Sequence, residues 1–211
     1  MEERKIRVAI THGDTNSIGY ELIFKTFSEP EMLDMCVPIV YGSPKVAAYH
    51  KKVVNTPAQF TIIHKAEDAM EGRLNLLAAI EDEVKVELGT ATPESGTAAM
   101  KSLDRAMTDF RRGLFDVLVT TPVNKSNAQM AGYPFPGHTR FLETCVGEGA
   151  QAFNIYVNSK MRVASLTGMV PVNQVVESIT EENVMAKVRL FADTLRSDFR
   201  ISNPRLAVLS L

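Results

Sequence analysis

Short apolar runs alternate with longer amphipathic stretches along most of the chain. Runs of four or five residues rich in Val, Ile and Leu predict strands. They lie at 6–10, 37–41, 60–63, 84–87, 116–120, 153–157 and 162–166. The last apolar run, 206–211, is interpreted as a final strand. Strands that alternate with helices favour a mostly parallel sheet covered on both faces.

Four amphipathic stretches predict helices, and their flanking residues indicate where each helix begins or ends. Asp14, Thr15 and Asn16 can each cap the first helix, and Pro44 suits the first turn of the second. Gly113 is expected to end the third, and Thr180 to cap the fourth. The four helices are expected to end near residues 27, 53, 113 and 199.

Composition and charge narrow the class of protein. The 211 residues suit one large domain or two lobes sharing a cleft, with 45% hydrophobic and 23% charged residues. A net charge of −2 without a basic stripe argues against nucleic-acid binding. No apolar stretch is long enough for a membrane span or signal core, so we expect a cytoplasmic protein. Cys36 and Cys145 are interpreted as two buried thiols.

Three loops that follow apolar strands carry polar side chains, at 11–19, 120–126 and 132–143. Ligands in α/β sheets bind outside the carboxyl ends of strands, so these loops are the candidate site. The first loop matches neither GxGxxG nor GxxxxGK(S/T), the two common nucleotide-binding patterns. It either presents N–H groups to an anion or is a tight turn with Asp14 or Asn16 as cap, and the turn is the simpler interpretation.

Three side chains in the later loops are candidates for binding. Lys125 either pairs with a phosphate or carboxylate as a point charge, or is a solvated residue in the first turn of a helix. His138 and Thr139 begin a helix after a loop rich in Pro and Gly. His138 either binds an anion or transfers a proton, or it is a partner in the helix cap.

Three motifs, in this order and spacing, resemble the 4-hydroxythreonine-4-phosphate dehydrogenases of pyridoxal phosphate synthesis. They are the opening segment 10–21, the stretch 121–125, and Gly137-His138-Thr139 followed by Phe141-Leu142-Glu143. The resemblance runs from about residue 5 to the end of the chain. It corresponds to roughly the first two thirds of a family member.

The resemblance implies an α/β, isocitrate/isopropylmalate-dehydrogenase-like fold with two lobes around a cleft and the C-terminal part missing. The first lobe would cover 1–125, and a partial second lobe 126–211. Such enzymes are homodimers that oxidise a secondary alcohol with NAD and a divalent metal (zinc, magnesium or cobalt), giving a β-keto acid that loses CO2. By motif match, His138 and Thr139 would contact the phosphorylated substrate. Lys125 is added as a third candidate for substrate binding because of its positive charge.

The metal site of the family is not matched by this sequence. Met169 stands where family members have their first ligand histidine, and a thioether is a poor ligand for zinc, magnesium or manganese. None of the four histidines, His12, His50, His64 and His138, falls at a ligand position. His50 and His64 are interpreted as surface residues, and His12 as a residue near the cleft. We therefore assign no catalytic or metal-binding residue, and expect neither NAD nor metal to bind this chain.

These observations predict a family member that does not turn over by itself. One alternative is a degenerate binding module for a phosphorylated hydroxy acid, which keeps Lys125 and His138 and has lost the chemistry. Another is a related dehydrogenase that acts on phosphothreonate or phosphoerythronate. Motifs that contact only the phosphate end of a substrate do not separate these substrates.

Overall fold

The chain folds into two compact units. The structure, a computed structural model, describes residues 4–135, 138–147, 149, 152–168 and 170–209. The first unit covers Met1–Ala150 and the second covers Gln151–Leu211. The division into lobes at residue 125 concerns the cleft of the whole fold and stays a prediction.

A five-stranded parallel sheet forms the centre of the first unit. Its strands lie in the order β3-β4-β2-β1-β5, and all four pairings are parallel. The strands are β1 (Ile6–Thr11), β2 (Cys36–Gly42), β3 (Phe60–Ile63), β4 (Leu74–Ala78) and β5 (Val117–Thr120). The predicted parallel α/β sheet is therefore confirmed.

In the described part of the first unit, six α-helices and a short 3-10 helix (Ala66–Asp68) accompany this sheet. The α-helices are α1 (Gly19–Thr26), α2 (Pro30–Met35), α3 (Pro44–Val54), α4 (Pro93–Arg111), α5 (Lys125–Met130) and α6 (His138–Val146). Pro44 and Pro93 occupy first-turn positions, where their lack of an N–H costs nothing. Ser43 and Thr92 cap these two helices by accepting from the N–H groups of Val46 and Ser95. These two helices begin where the sequence predicts.

Alternation along β1 places its side chains in two separate cores. Ile10 packs into a cluster with Tyr20 and Phe24 of α1, whereas Ala9 packs into a cluster with Tyr41 and Ala106 of α4. Because neighbouring residues of a strand point to opposite faces, the sheet is covered on both sides. The carboxyl ends of its strands remain available for the loops that form the candidate site.

The predicted strand at 84–87 is wrong. Val84 and Val86 do pack against the core, which explains their alternation, but the backbone there forms no strand. The strand in this part of the chain is β4, which the sequence analysis missed. Asn75 interrupts its apolar run, yet the side chain is fully buried and donates to the carbonyls of Pro38 and Met70. Those partners become visible only in the folded chain.

The described part of the second unit contains two strands and two helices. The strands β6 (Ile155–Val157) and β7 (Arg162–Ala164) pair antiparallel, and they confirm the predicted strands at 153–157 and 162–166 in shorter form. They are followed by α7 (Val172–Ser178) and α8 (Glu181–Ser197), the latter capped by Thr180 as predicted.

The predicted strand at 206–211 is wrong for its described part. Residues 206–209 form no strand, because no strand in the described part of this unit pairs with them, and they are largely exposed. Met169 lies outside the described residues. Of the helices that are described, none combines the length and apolar character needed to cross a membrane.

Candidate functional site

Two of the three predicted loops meet at the carboxyl edge of the sheet. Because β1 and β5 pair in parallel, the residues that follow them leave the sheet side by side. The Thr121 hydroxyl donates to the Thr11 carbonyl over 2.9 Å, and the Asp14 N–H donates to the Pro122 carbonyl over 3.0 Å. These bonds join the loop after β1 to the segment that leads into Lys125.

A buried polar cluster ties helix α5 to these loops. The Asn127 side chain donates to Asp14 Oδ2 over 2.8 Å and to Ser95 Oγ over 2.9 Å. Asp14 is 6% exposed and Asn127 is 1% exposed. The expectation that Asp14 or its neighbours cap α1 is wrong, because the helix begins only at Gly19 and its N-cap makes no side-chain hydrogen bond. The carboxylate instead accepts from α5.

Asn16 fixes a third loop at the same edge. Its Oδ1 accepts from the Glu87 N–H over 2.8 Å, and its Nδ2 donates to the Thr90 carbonyl over 2.9 Å and to Thr92 Oγ1 over 3.2 Å. The segment around residue 87 is therefore held by a side chain rather than by a strand ladder. This is the physical reason why no strand forms at 84–87.

Three N–H groups of the loop after β1 donate hydrogen bonds within the protein. The N–H of Asp14 donates to Pro122, that of Asn16 to the Asp14 carboxylate, and that of Ser17 to the Asp14 carbonyl. A loop that cradles a phosphate points such groups at the ligand instead. Three N–H groups of this loop are therefore not available to the diphosphate of NAD, which favours a tight turn, although without the predicted side-chain cap on α1.

Two glycines allow the close packing of this edge. Gly13 has φ +70°, and a side chain there would overlap Thr121 Oγ1 and the Pro122 carbonyl. Gly96 lies in α4, and a side chain there would overlap the backbone of Asn127. Helix α5 thus rests directly on α4, which places the start of α5 close to the sheet.

A stack of three buried rings lies behind the loops. The Tyr20 ring stacks on His12 and on His50 with centroid distances of 5.3 Å each. His50 is buried, so its interpretation as a surface residue is wrong; its Nε2 lies 2.7 Å from the Thr15 carbonyl. His64 is exposed, as predicted. Burial, and then the nearby His50, lower the pKa of His12 to about 4.

The predicted binding residues begin two neighbouring helices. Lys125 is the first residue of α5 and is exposed, while Asn124 caps this helix by accepting from two N–H groups. His138 is the first residue of α6 and is half-buried, and Thr139 beside it is exposed. Burial lowers the pKa of His138, and the positive charge of Lys125 lowers it further. Tyr133 packs against the clusters that contain Ala128 of α5 and Phe141 of α6, so the fold holds these two helices near one another.

Other predictions about single residues have mixed outcomes. Gly137, between Pro136 and His138, lies outside the described residues. Cys36 and Cys145 are free thiols that are half-buried rather than buried. Sequence reasoning missed Ser95 and Asn127, because a polar residue on a helix gives no signal of its buried partner elsewhere in the chain.

The described residues do not form the metal centre that the family resemblance implies. Across the described ranges, no three side chains of His, Cys, Asp or Glu come together as metal ligands. His12 and His50 flank the Tyr20 ring, and neither belongs to such a group. A divalent metal therefore does not fit the site built from these residues.

Comparison with known proteins decides the family. The family described as "Pyridoxal phosphate biosynthetic protein PdxA" matches residues 34–211. The chain belongs to the PdxA family. A 4-hydroxythreonine-4-phosphate dehydrogenase of Bacteroides thetaiotaomicron is 47% identical over 211 residues, covering 100% of this chain and 58% of the relative. A relative from Sulfurihydrogenibium with the same name is 29% identical, with 63% of its length covered.

Solved structures of PdxA dehydrogenases confirm the fold. The structure from Burkholderia phymatum has a TM-score of 0.80 at 24% identity, covering 96% of this chain and 62% of that chain. The structure from Klebsiella pneumoniae has a TM-score of 0.80 at 21% identity, with coverages of 97% and 62%. The isocitrate/isopropylmalate-dehydrogenase-like fold is therefore confirmed. The chain spans about 60% of the length of these PdxA relatives.

Proposed function

We propose that this chain supplies the phosphate-binding part of a dehydrogenase that acts on 4-phosphohydroxy-L-threonine in pyridoxal phosphate synthesis. The observation that carries the proposal is that Lys125 and His138 begin α5 and α6, two helices that Tyr133 links. The Tyr133 N–H donates to the Ala128 carbonyl of α5 over 2.9 Å, and its ring centroid lies 5.4 Å from that of Phe141 of α6. The 47% identity to a 4-hydroxythreonine-4-phosphate dehydrogenase over the whole chain supports the choice of substrate.

Each proposed residue has a distinct role in holding the phosphate. Lys125 supplies a full positive charge on an exposed, flexible stem. His138 is neutral at pH 7 in the free protein because its pKa is lowered, so it first meets the phosphate through a hydrogen bond rather than a charge. The Thr139 hydroxyl donates to a phosphate oxygen. A bound phosphate dianion would favour the protonated form of His138 and so raise its pKa.

We propose that the chain binds substrate but does not oxidise it by itself. The described residues do not form a metal centre, and three N–H groups of the loop after β1 already donate within the protein, so no step of the reaction is derived through a metal or NAD. In the family, these two groups would supply the Lewis acid and the hydride acceptor. What the described residues do is hold and orient the phosphate end of the substrate.

A second candidate substrate has specific support. A relative from Oceanobacillus iheyensis, whose name refers to D-threonate 4-phosphate, is 28% identical over 212 residues. This compound carries a hydroxyl where 4-phosphohydroxy-L-threonine carries an amine, and it has the same phosphate end. Contacts made by Lys125 and His138 alone would accept both compounds.

Calorimetric titration of the pure chain with 4-phosphohydroxy-L-threonine tests the proposal. We expect binding that is unchanged by zinc or magnesium, and no reduction of NAD when metal and substrate are both present. Replacing Lys125 by Met removes one exposed charge from the phosphate site and should weaken binding roughly tenfold. Titration with D-threonate 4-phosphate in parallel decides between the two substrates.

Lys45→Met is the matched control. Lys45 is also an exposed lysine in the first turn of a helix that follows a strand of the same sheet. The Lys45→Met variant should leave the affinity for 4-phosphohydroxy-L-threonine unchanged. Equal losses in both variants, or no binding by the parent chain at millimolar ligand, would contradict the proposal. Metal-dependent reduction of NAD by the pure chain would contradict the expected lack of turnover.

We further propose that the whole protein is a cytoplasmic homodimer with shared active sites that uses NAD and a divalent metal. Each of these properties is implied by the family resemblance. Sedimentation analysis of the pure 211-residue chain tests the dimer. A single species of 23.3 kDa, the mass of one copy of this chain, at micromolar concentration would argue against it.

A further inference from the structure

Helix α5 is too short to hold Lys125 in place by itself. It has six residues, and isolated helices of this length are not stable in water. Its start is fixed by the Asn124 cap, and two of its residues are buried. Ala128 packs in a cluster with Ala99 and Met100 of α4, and the third residue, Asn127, makes the buried side-chain hydrogen bonds. The position of Lys125 therefore depends partly on what Asn127 contacts.

Asp14 is the charged partner in that contact. Its Oδ2 accepts from Asn127, and its Oδ1 accepts from the Asn16 N–H over 2.9 Å. Ser95 accepts the second Asn127 hydrogen bond, and its own hydroxyl donates to the Thr92 carbonyl over 3.0 Å. Hydrogen bonds to an ionised acceptor in a buried site are about twice as strong as neutral ones. The two bonds from Asn127 attach α5 both to the loop after β1 and to α4.

We propose that Asp14 and Asn127 are positioning residues that hold Lys125 beside His138 for phosphate binding. The inference rests on the proposed function, because it concerns the same phosphate site. Neither side chain touches the substrate in this scheme. Asp14, on the loop after β1, acts through Asn127 on the helix whose first residue is Lys125.

The charge of Lys125 gives a readout that is independent of ligand. While Lys125 lies near His138, it lowers the pKa of the imidazole. If the link between Asp14 and Asn127 is broken and α5 moves, this effect of Lys125 is lost and the pKa of His138 rises. Nuclear magnetic resonance of the His138 ring protons measures that pKa in the free protein, so the result does not depend on whether the proposed substrate binds.

A reversal of the pair provides the test. Asp14→Asn leaves one acceptor oxygen for two donors, the Asn127 amide and the Asn16 N–H, and Asn127→Asp sets two carboxylates face to face. Each single variant therefore weakens the link. The double variant restores one donor and one acceptor, because the amide introduced at position 14 then donates to the carboxylate introduced at position 127. We expect each single variant to raise the pKa of His138 and to weaken binding of 4-phosphohydroxy-L-threonine roughly tenfold. The double variant should return both values to those of the parent.

Two further variants keep the test decisive. Ser102→Ala removes a different buried side-chain hydrogen bond, the 2.6 Å bond to the Tyr41 carbonyl, and should change thermal stability alone. Ser95→Ala removes the second Asn127 bond, together with the Ser95 bond to the Thr92 carbonyl, and leaves the bond between Asn127 and Asp14 in place. It should give an intermediate effect on the pKa of His138, and this result decides the question if the single variants at Asp14 and Asn127 fail to fold. Variants at Asp14 and Asn127 that behave like Ser102→Ala, or a double variant without recovery, would overturn the positioning role.

The two proposals fail in different ways. If the parent chain does not bind the phosphorylated compound, the proposed function is wrong, while the His138 titration still decides whether Asp14 and Asn127 position Lys125. If the compound binds and the pKa of His138 is the same in every variant, the phosphate site stands and the positioning role is wrong.

Discussion

At the scale of single residues, His12 is a buried imidazole kept neutral by its surroundings. It is 0% exposed, and neither ring nitrogen makes a hydrogen bond of normal geometry within the described part of the chain. The ring instead stacks on Tyr20, and His50 lies on the far side of Tyr20. Burial, and then the nearby His50, make protonation of His12 unfavourable.

This burial predicts that acid destabilises the fold. The pKa of His12 falls from 6.5 in the unfolded chain to about 4 in the folded chain. As pH falls from 6.5 to 4, the unfolded chain therefore takes up a proton that the folded chain does not. The free energy of unfolding should fall by about 3 kcal/mol from this residue across that range. Urea unfolding at a series of pH values measures the slope.

Two histidine variants separate this contribution from that of the carboxylates. His12→Phe keeps an aromatic ring against Tyr20 and removes the titration, so its slope between pH 4 and 6.5 should be shallower. His64→Gln changes an exposed histidine and should keep the parent slope. Identical slopes in the parent chain and His12→Phe would refute the assignment.

At the scale of elements, the close approach of α4 and α5 depends on one missing side chain. Gly96 lies inside α4, where Ala would ordinarily be preferred by about 1 kcal/mol. Here a Cβ would overlap the backbone of Asn127 rather than the flexible end of a side chain. The packing between the two helices therefore outweighs the helix propensity.

Gly96→Ala should destabilise the protein in spite of its better helix propensity. Overlap with a backbone forces α5 away from α4, and such overpacking costs roughly 1–3 kcal/mol. Thermal unfolding followed by circular dichroism measures the loss. Thr97→Ala, at the next and exposed position of the same helix, should be neutral or slightly stabilising. A Gly96→Ala variant as stable as Thr97→Ala would show that the two helices do not pack closely.

At the scale of the whole molecule, the two units differ in how much they bury. The first unit has two cores on opposite faces of its sheet. In the described part of the second unit, Leu195 is the one buried residue. Val172 and Val176, one turn apart on α7, are 89% and 80% exposed. Burial of apolar surface is the main stabilising term in folding, so the second unit has little to hold it together by itself.

Hydrogen exchange of the 211-residue chain should therefore separate the two units. Amides of β1 and β2 should exchange only through global unfolding, whereas those of α7 should exchange near the rate of an unfolded chain. Mass spectrometry of peptic fragments resolves the two regions within one sample, so the first unit serves as the internal reference. Equal protection of α7 and β1 would contradict the difference in stability.

Local signals in the sequence determined much of the first unit. Four strands are apolar runs that can be recognised from their own residues: β1, β2, β3 and β5. Pro44 and Thr92 likewise indicate where two helices begin. The three family motifs likewise depend only on residue order. They indicated the dehydrogenase family and the fold because motif spacing survives where overall identity is low.

Only the tertiary structure decided the features whose cause lies far away in the chain. Asn75 belongs to a strand because Pro38 and Met70 accept its hydrogen bonds, and residues 84–87 do not because Asn16 holds them. Asp14 accepts a hydrogen bond from Asn127 of α5 instead of capping α1, and Asn127 is 113 residues away in the sequence. Hydrogen bonds between distant buried side chains leave no periodic pattern, so the sequence alone does not reveal them.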